Sequence, residues 1–384
     1  MTVARPALFQ PIKAGSLALK HRVVLAPLTR KRADVQTAVP NDLSAEYYAQ
    51  RATDGGLLIS EATFIAAEAG GLSGVPGIYS PQQIAKWKET TDAVHKKGGV
   101  IFLQLWAHGR VADPKLVPIV WAVSANKPFT KPGGTPPALT ELGTADIDRF
   151  VAHYRQAALN AIEAGFDGVE IHGANGYLID QFLQPVSNDR TDEYGGTLEN
   201  RLRFPLRVLN AVAEAIGPER VGIRASPFGE AQGMRGDANP LDTFTPWFKA
   251  IVRAQPNLAY VHAVAPRVSG VSDVAQSLVD ERGDSLDSLR AIVQAAGIAF
   301  ISAGGSTPAR ALAEAEKDGD LIAFGRYFIS NPDLPARIEN GWDLNPYNRK
   351  TFYTRGAEGY TKYVRPGKLI LTRRSYPFYQ ASRL

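Results

Sequence analysis

The run Ala299-Phe300-Ile301-Ser302-Ala303-Gly304-Gly305-Ser306-Thr307-Pro308 leads through a helical pattern to Gly319, then to Leu321-Ile322-Ala323-Phe324-Gly325-Arg326. The two apolar runs read as strands buried on both faces. The segment between them opens with Pro308 just inside a Thr307 cap, a good helix start. Working outward, the same unit recurs. Short apolar runs lie at Val23–Pro27, Leu57–Ala62, Val100–Trp106, Gly168–His172, Val221–Ser226 and Ala259–Val264, which with Ala299–Ala303 and Leu321–Gly325 make eight. Amphipathic segments separate them. Ala145–Gly165 carries Ile147, Phe150, Val151, Tyr154, Ala158 and Ile162 at helical steps, and Leu198–Gly217 carries Leu202, Phe204, Leu206, Val208, Leu209, Val212 and Ile216. Eight strand–helix repeats predict an α/β fold, a single (β/α)8 barrel of the TIM type spanning residues 1–384. The alternative, an open doubly wound sheet, calls for Gly-x-Gly-x-x-Gly after the first strand, and none is there. Leu8–Lys20, turning at Gly15-Ser16, reads as an N-terminal hairpin at the barrel floor. Long loops follow strand three (Ala107–Gly143, rich in Pro) and strand six (Arg267–Ser285). Loops of that length in a compact domain are usually lids or binding loops.

Composition narrows the chemistry. The 384 residues include no cysteine, which excludes disulfides, thiolate metal sites and cysteine nucleophiles. The formal charge of +5 is small for this length, and no Lys/Arg tract occurs, so nucleic acid is not an expected partner. No run of 18 apolar residues exists, and Met1–Arg22 lacks an apolar signal core, so neither a membrane nor secretion is expected. The expected compartment is the cytoplasm, or the peroxisome if Ser382-Arg383-Leu384 is read as a variant of the Ser-Lys-Leu address.

In such a barrel the site sits where strands end. Those positions hold Thr29, Gln104 and Trp106, then His172 to Tyr177, Arg224, Gly304-Gly305 and Gly325-Arg326. Gly304-Gly305 opening a helix, with Arg326 on the next strand, forms a candidate phosphate cradle. The alternative is an ordinary Gly-rich turn with a surface Arg. Arg224 interrupts an apolar strand and needs an anionic partner, either a structural carboxylate or charge developing on a cofactor ring. His172 and Asn175 can both donate to one carbonyl oxygen. Tyr177 is a usable proton donor. The bland alternative is a satisfied core His, a turn Asn and a packing Tyr. No second His or carboxylate stands at metal-ligand spacing, and no metal is expected.

At these residues the chain resembles the Old Yellow Enzyme family, including 12-oxophytodienoate reductases and bacterial ene-reductases. The likeness runs from Leu8 to about Tyr363. It rests on Arg22-Val23-Val24-Leu25-Ala26-Pro27-Leu28-Thr29-Arg30, Phe102-Leu103-Gln104-Leu105-Trp106, Glu170-Ile171-His172-Gly173-Ala174-Asn175-Gly176-Tyr177-Leu178, Asn188 to Gly196, and Gly325 to Leu334. The resemblance implies FMN as cofactor and NADPH or NADH as hydride donor. Pro27, Leu28 and Thr29 would lie along the flavin, Ala62 and Gln104 at its pyrimidine side, and Arg224 at N1/O2. Gly304, Gly305, Gly325 and Arg326 would take the phosphate. His172 and Asn175 would grip a substrate carbonyl, and Tyr177 would protonate the α-carbon after hydride from flavin N5 reaches the β-carbon. Sharing one site implies ping-pong kinetics. Trp106, Leu72, Phe352 and Tyr353 would line the substrate pocket. Leu72 stands where several members carry Tyr, which makes the pocket more apolar. The implied substrate is a small enone or other activated alkene, and the implied assembly a monomer or homodimer. Nitro or nitrate-ester reduction on the same flavin, or a non-catalytic flavin-binding barrel, are the alternative functions.

Overall fold

A computed structural model describes residues 5–130, 133–235, 237 and 239–363. Eight parallel strands form its centre: β1 (Val23–Leu25), β2 (Leu57–Ile59), β3 (Val100–Trp106), β4 (Gly168–Gly173), β5 (Val221–Ala225), β6 (Tyr260–Val264), β7 (Ala299–Ala303) and β8 (Leu321–Phe324). Each pairs with its neighbour in sequence, and β8 pairs with β1 through Ile322↔Val23, Ala323↔Val24 and Phe324↔Leu25, so the barrel is closed. The expected (β/α)8 architecture is thus present. Helices α1 (Leu43–Arg51), α2 (Pro81–His95), α3 (Thr144–Glu163), α4 (Leu198–Ile216), α5 (Leu241–Ala254), α6 (Asp287–Ala295), α7 (Pro308–Asp318) and α8 (Leu334–Asn340) surround it. Their starts carry local signals. Ser80 and Gln83 form a capping box on α2, and Thr197 and Thr307 cap α4 and α7 through their side chains.

Strand alternation sorts the apolar residues into two layers. Outward-facing Ile101, Leu103, Leu105, Val169, Ile171, Ile223 and Val261 pack with Trp87 of α2, Tyr154 of α3, Phe204 of α4 and Trp247 of α5. Inward-facing Val24, Leu57, Ile59, Phe102, Tyr260, Ile301, Leu321 and Ala323 fill the barrel. The hairpin Ile12–Ala14/Leu17–Leu19 joins that inner cluster through Ala14 and Leu19, so it does close the floor. Two glycines on the inner face make room for rings. A Cβ on Gly168 would lie 2.4 Å from the Phe102 ring, and one on Gly222 would lie 2.3 Å from that of Tyr260.

Two strands stop two or more residues short of the lengths read from sequence, and β5, β6 and β8 are each one residue shorter. β1 ends at Leu25 rather than Pro27, because Pro27 has no N–H for the ladder. β2 ends at Ile59 rather than Ala62. There the backbone N–H of Glu61 donates to the Tyr48 hydroxyl at 2.7 Å, and the chain rejoins β3 only at Thr63–Phe64. The loop after β3 contains a small paired segment, Trp121–Ala122 with Thr140–Glu141. The loop after β6 contains the hairpin Val268–Ser269/Ser272–Asp273 and the helix Gln276–Arg282. No helix among the described residues is long and apolar enough to cross a membrane. The C-terminal tripeptide Ser382–Leu384 lies outside the described residues.

A Gly222→Val substitution is expected to force the buried Tyr260 ring out of place. It should cost about 1–3 kcal/mol of stability. A lowered denaturant midpoint checks this, and an unchanged midpoint contradicts the packing described.

Candidate functional site

Above the Phe102 and Tyr260 rings the inner face changes character. Gln104 of β3, Glu170 of β4, Arg224 of β5 and His262 of β6 replace apolar side chains. Gln104 Nε2 donates to Glu170 Oε1 at 2.7 Å, and His262 Nδ1 meets Glu170 Oε2 at 2.8 Å. Burial alone would push the Glu170 carboxyl up. His262, Arg224 and Gln104 together hold it below its ordinary value, so it stays a carboxylate. Burial pushes His262 down against the pull of Glu170, so the imidazole is neutral and its Nδ1–H is the donor. Burial also lowers Arg224, with Glu170 the main opposing charge. The Arg224 Nε is buried and has no hydrogen-bond partner among the described residues. Such an orphan donor at the barrel mouth suits an anionic or carbonyl edge of a bound group.

The next layer up holds the three residues of the β4 turn. Asn175 has φ 57° and Gly176 φ 78°, so the chain doubles back sharply. The turn is fixed from outside. Asn175 N donates to Ser226 Oγ at 2.7 Å, Gly176 N to Asp180 Oδ2 at 2.8 Å, and Gln181 Nε2 to Gly176 O at 2.7 Å. Burial raises the Asp180 carboxyl to about 6. His172 Nδ1 accepts from Ala174 N at 3.3 Å, which leaves the ring proton on Nε2. Burial first, then the Arg224 charge, holds His172 well below the ordinary histidine pKa. The imidazole is therefore a neutral donor at physiological pH. Tyr177 is pushed up to about 12 by burial, against a smaller opposing pull from the Gln232 side chain. The ring of Tyr177 stands 5.0 Å from that of His172 and 4.6 Å edge-on from Trp106. Ala62, Phe64, Val75 and Trp106 form one apolar patch, with Leu72 and Tyr177 packed against it. Pro27, Leu28 and Thr29 follow β1 half-buried. Phe352 is buried, Tyr353 is 48% exposed, and the Tyr353 hydroxyl is close enough to Tyr177 to disfavour its phenolate.

At β7 and β8, Gly304 (φ 119°) and Gly305 (φ 65°) precede α7, and a Cβ on Gly325 would come 3.2 Å from Leu28 Cδ2. Arg267 Nε donates to Gly304 O at 3.1 Å and Arg310 Nη1 to Gly305 O at 3.1 Å. Arg326 forms a two-point ion pair with Asp273 of the hairpin after β6, and its Nη1 also reaches the Tyr347 hydroxyl at 3.3 Å. The residues picked from sequence are thus brought together as one mouth. Two of them are engaged in ways the sequence did not show: Gln104 by Glu170, and Arg326 by Asp273.

Other residues escaped the sequence reading. Glu170 and His262 interrupt apolar strands just as Arg224 does, so the same test applied to every strand finds them. Gln232 lies in a loop and gave no signal. A third group is an arginine clamp. Arg30 Nε donates to Phe352 O at 3.1 Å and its Nη2 to Gly359 O at 2.6 Å. Arg32 donates to the carbonyls of Thr351, Phe352, Gly356 and Glu358. The strap that carries Phe352 and Tyr353 is held by these bonds. Glu61, raised by burial to about 7, takes the Arg30 N–H behind it.

The geometry fits FMN. The Arg224 Nε near the strand end is buried without a partner among the described residues, and the glycines at β7 and β8 leave backbone N–H groups free of side-chain bulk. The profile of the NADH:flavin oxidoreductase / NADH oxidase family matches residues 7–345. A flavin oxidoreductase of Emericella nidulans is 44% identical over 381 residues, covering 93% of this chain and 97% of its own. A chanoclavine-I aldehyde reductase of Penicillium roqueforti is 47% identical over 374 residues, 93% and 96% of the two chains. The 12-oxophytodienoate reductase 2 of Arabidopsis thaliana is 42% identical over 369 residues, 93% and 95%. On profile, identity and coverage together, this chain belongs to the NADH:flavin oxidoreductase / NADH oxidase (Old Yellow Enzyme) family, and is an FMN-dependent oxidoreductase that takes its electrons from a nicotinamide donor.

Proposed function

We propose that this enzyme reduces the carbon–carbon double bond of α,β-unsaturated carbonyl compounds. The observation that carries the reading is the pairing of a neutral His172, its proton on Nε2, with the Tyr177 hydroxyl across 5.0 Å of ring separation. Relatives named as 12-oxophytodienoate and chanoclavine-I aldehyde reductases support the substrate class. Bound FMN supplies the hydride after reduction by NAD(P)H. His172, with Asn175 beside it, donates to the substrate carbonyl oxygen and draws electron density off the alkene. A neutral donor suits this task, because it need not lose a proton within the cycle. Tyr177 gives its proton to the α-carbon. Trp106, Ala62 and Leu72 keep water from the reacting carbons. Arg224 would hold the pyrimidine side of FMN, and Gly304, Gly305, Gly325 and Arg326 would hold its phosphate. Pro27, Leu28, Thr29 and Gln104 would hold the flavin ring, and Phe352 with Tyr353 would form the outer wall. One site serves donor and acceptor in turn, so kinetics are ping-pong.

Tyr177→Phe is expected to slow reoxidation by 2-cyclohexenone by about 10²–10⁴, while FMN reduction by NADPH stays nearly unchanged. Stopped-flow absorbance at the flavin band separates the two, and equal slowing of both would remove the proton-donor role. Arg224→Gln should weaken FMN binding and lower the two-electron potential by at least about 30 mV, a tenfold change in the redox equilibrium. An unchanged potential would place Arg224 away from the flavin. With His172 held low and Tyr177 near 12, neither group titrates between pH 6 and 9. The enone step is therefore expected to vary less than about twofold across that range. A sigmoid centred near pH 7 that persists in Glu61→Gln would show that His172 charges there.

A further inference from the structure

The hairpin after β6 is fixed at its root and at its turn. At the root Val274 N donates to Arg267 O at 2.9 Å, and Arg267 Nε in turn donates to the Gly304 carbonyl at 3.1 Å. At the turn Gly270 has φ 58°, and a Cβ there would lie 3.1 Å from Ala231 Cβ of the loop after β5. Next to it Ser269 Oγ accepts from Glu230 N at 2.9 Å. The last hairpin residue, Asp273, meets two cations. Arg326 Nη1 donates to Asp273 Oδ2 at 2.6 Å, and Arg326 Nη2 donates to Oδ1. Arg349 Nη2 stands 3.6 Å from the same Oδ2, and Arg349 Nη1 donates to Val271 O at 3.0 Å. Both guanidiniums also lie over the Tyr347 ring, 5.4 and 5.8 Å from its centre. Among the described residues Asp273 is the one carboxylate paired with either arginine. Arg326 first, and Arg349 after it, hold the Asp273 carboxyl below its ordinary value, so it is ionised.

Two guanidiniums converging on one anion are the donor set of a phosphate site. We propose that Asp273 competes with the FMN phosphate for the Arg326–Arg349 pair, and so sets how tightly the cofactor is held. The proposal rests on the reading of Gly304, Gly305, Gly325 and Arg326 as the phosphate site, and it adds Asp273 and Arg349 to that site. The edge of the Arg326 fork that satisfies both carboxylate oxygens has no donor left for a second anion. Two anions drawn to the same cations also repel each other. Each pairing therefore forms at the expense of the other. The Asp273 side chain is exposed, so exchanging its partner costs little packing. Riboflavin, which carries the same ring and no phosphate, meets no such competition. A merely structural role would hold the hairpin in place, and its loss would alter the binding of FMN and riboflavin alike.

The test is titration of the flavin-free protein with FMN and, separately, with riboflavin, followed by flavin fluorescence. Asp273→Asn keeps the size of the side chain and removes its charge. It is expected to tighten FMN binding about threefold or more and to leave riboflavin within about twofold. Asp273→Ala should act in the same direction. Arg326→Gln is the control for the underlying reading: it should weaken FMN about tenfold or more, again with riboflavin little changed. FMN affinity that stays level or falls in both Asp273 variants, while Arg326→Gln weakens FMN selectively, overturns the competition and leaves the phosphate site standing. Equal tightening of both flavins also overturns it, since the effect then passes through the hairpin. An Arg326→Gln protein that binds FMN as the parent does overturns the reading of the phosphate site instead.

Discussion

The mouth of this barrel depends on one buried carboxylate. Glu170 accepts from Gln104 and His262 and faces Arg224, all within the closed ring of strands. A guanidinium taken out of water needs a counter-charge, and a carboxylate in the same place needs donors. Each member solves the other's problem. The layer therefore delivers a positive charge, with one Nε unspent, to the floor of the site. It also adds Arg224 to the burial that keeps His172 neutral, since two cations so close would be costly. Apolar packing below and chemistry above meet at this layer.

Above it, the site is assembled from pieces that no one strand controls. The β4 turn brings His172 and Tyr177 together, but its shape is imposed by Ser226, Asp180, Gln181 and Gln232. The strap bearing Phe352 and Tyr353 is held by Arg30 and Arg32 through backbone carbonyls. Left-handed residues at Asn175 and Gln232 show where local backbone preference has yielded to the geometry of the site.

How much of this the sequence disclosed follows from what kind of signal each feature leaves. Strands such as Val100–Trp106 and Gly168–Gly173 leave an apolar run, so the closed barrel was legible, and the hairpin before it too. Strand ends were less so. Pro27 and Glu61 end β1 and β2 for reasons of ladder bonding and side-chain contact that an apolar run does not record. Arg224 stood out as a charge in an apolar strand, but its partner Glu170 lies 54 positions earlier, a pairing that exists only once the barrel closes. The Arg326–Asp273 ion pair is hidden for the same reason: 53 residues separate it. Gln232 was out of reach altogether. A loop glutamine has no periodicity, and its bond to the Asn175 carbonyl exists only once two loops meet.

The most direct measurement of the central claim is the visible spectrum of the purified protein, taken before and after anaerobic NADPH and again after 2-cyclohexenone. The account predicts flavin bands that bleach with NADPH and return in full with the enone. Bands that stay bleached would contradict the assigned substrate class, and a protein that remains colourless after FMN is added would contradict the site itself.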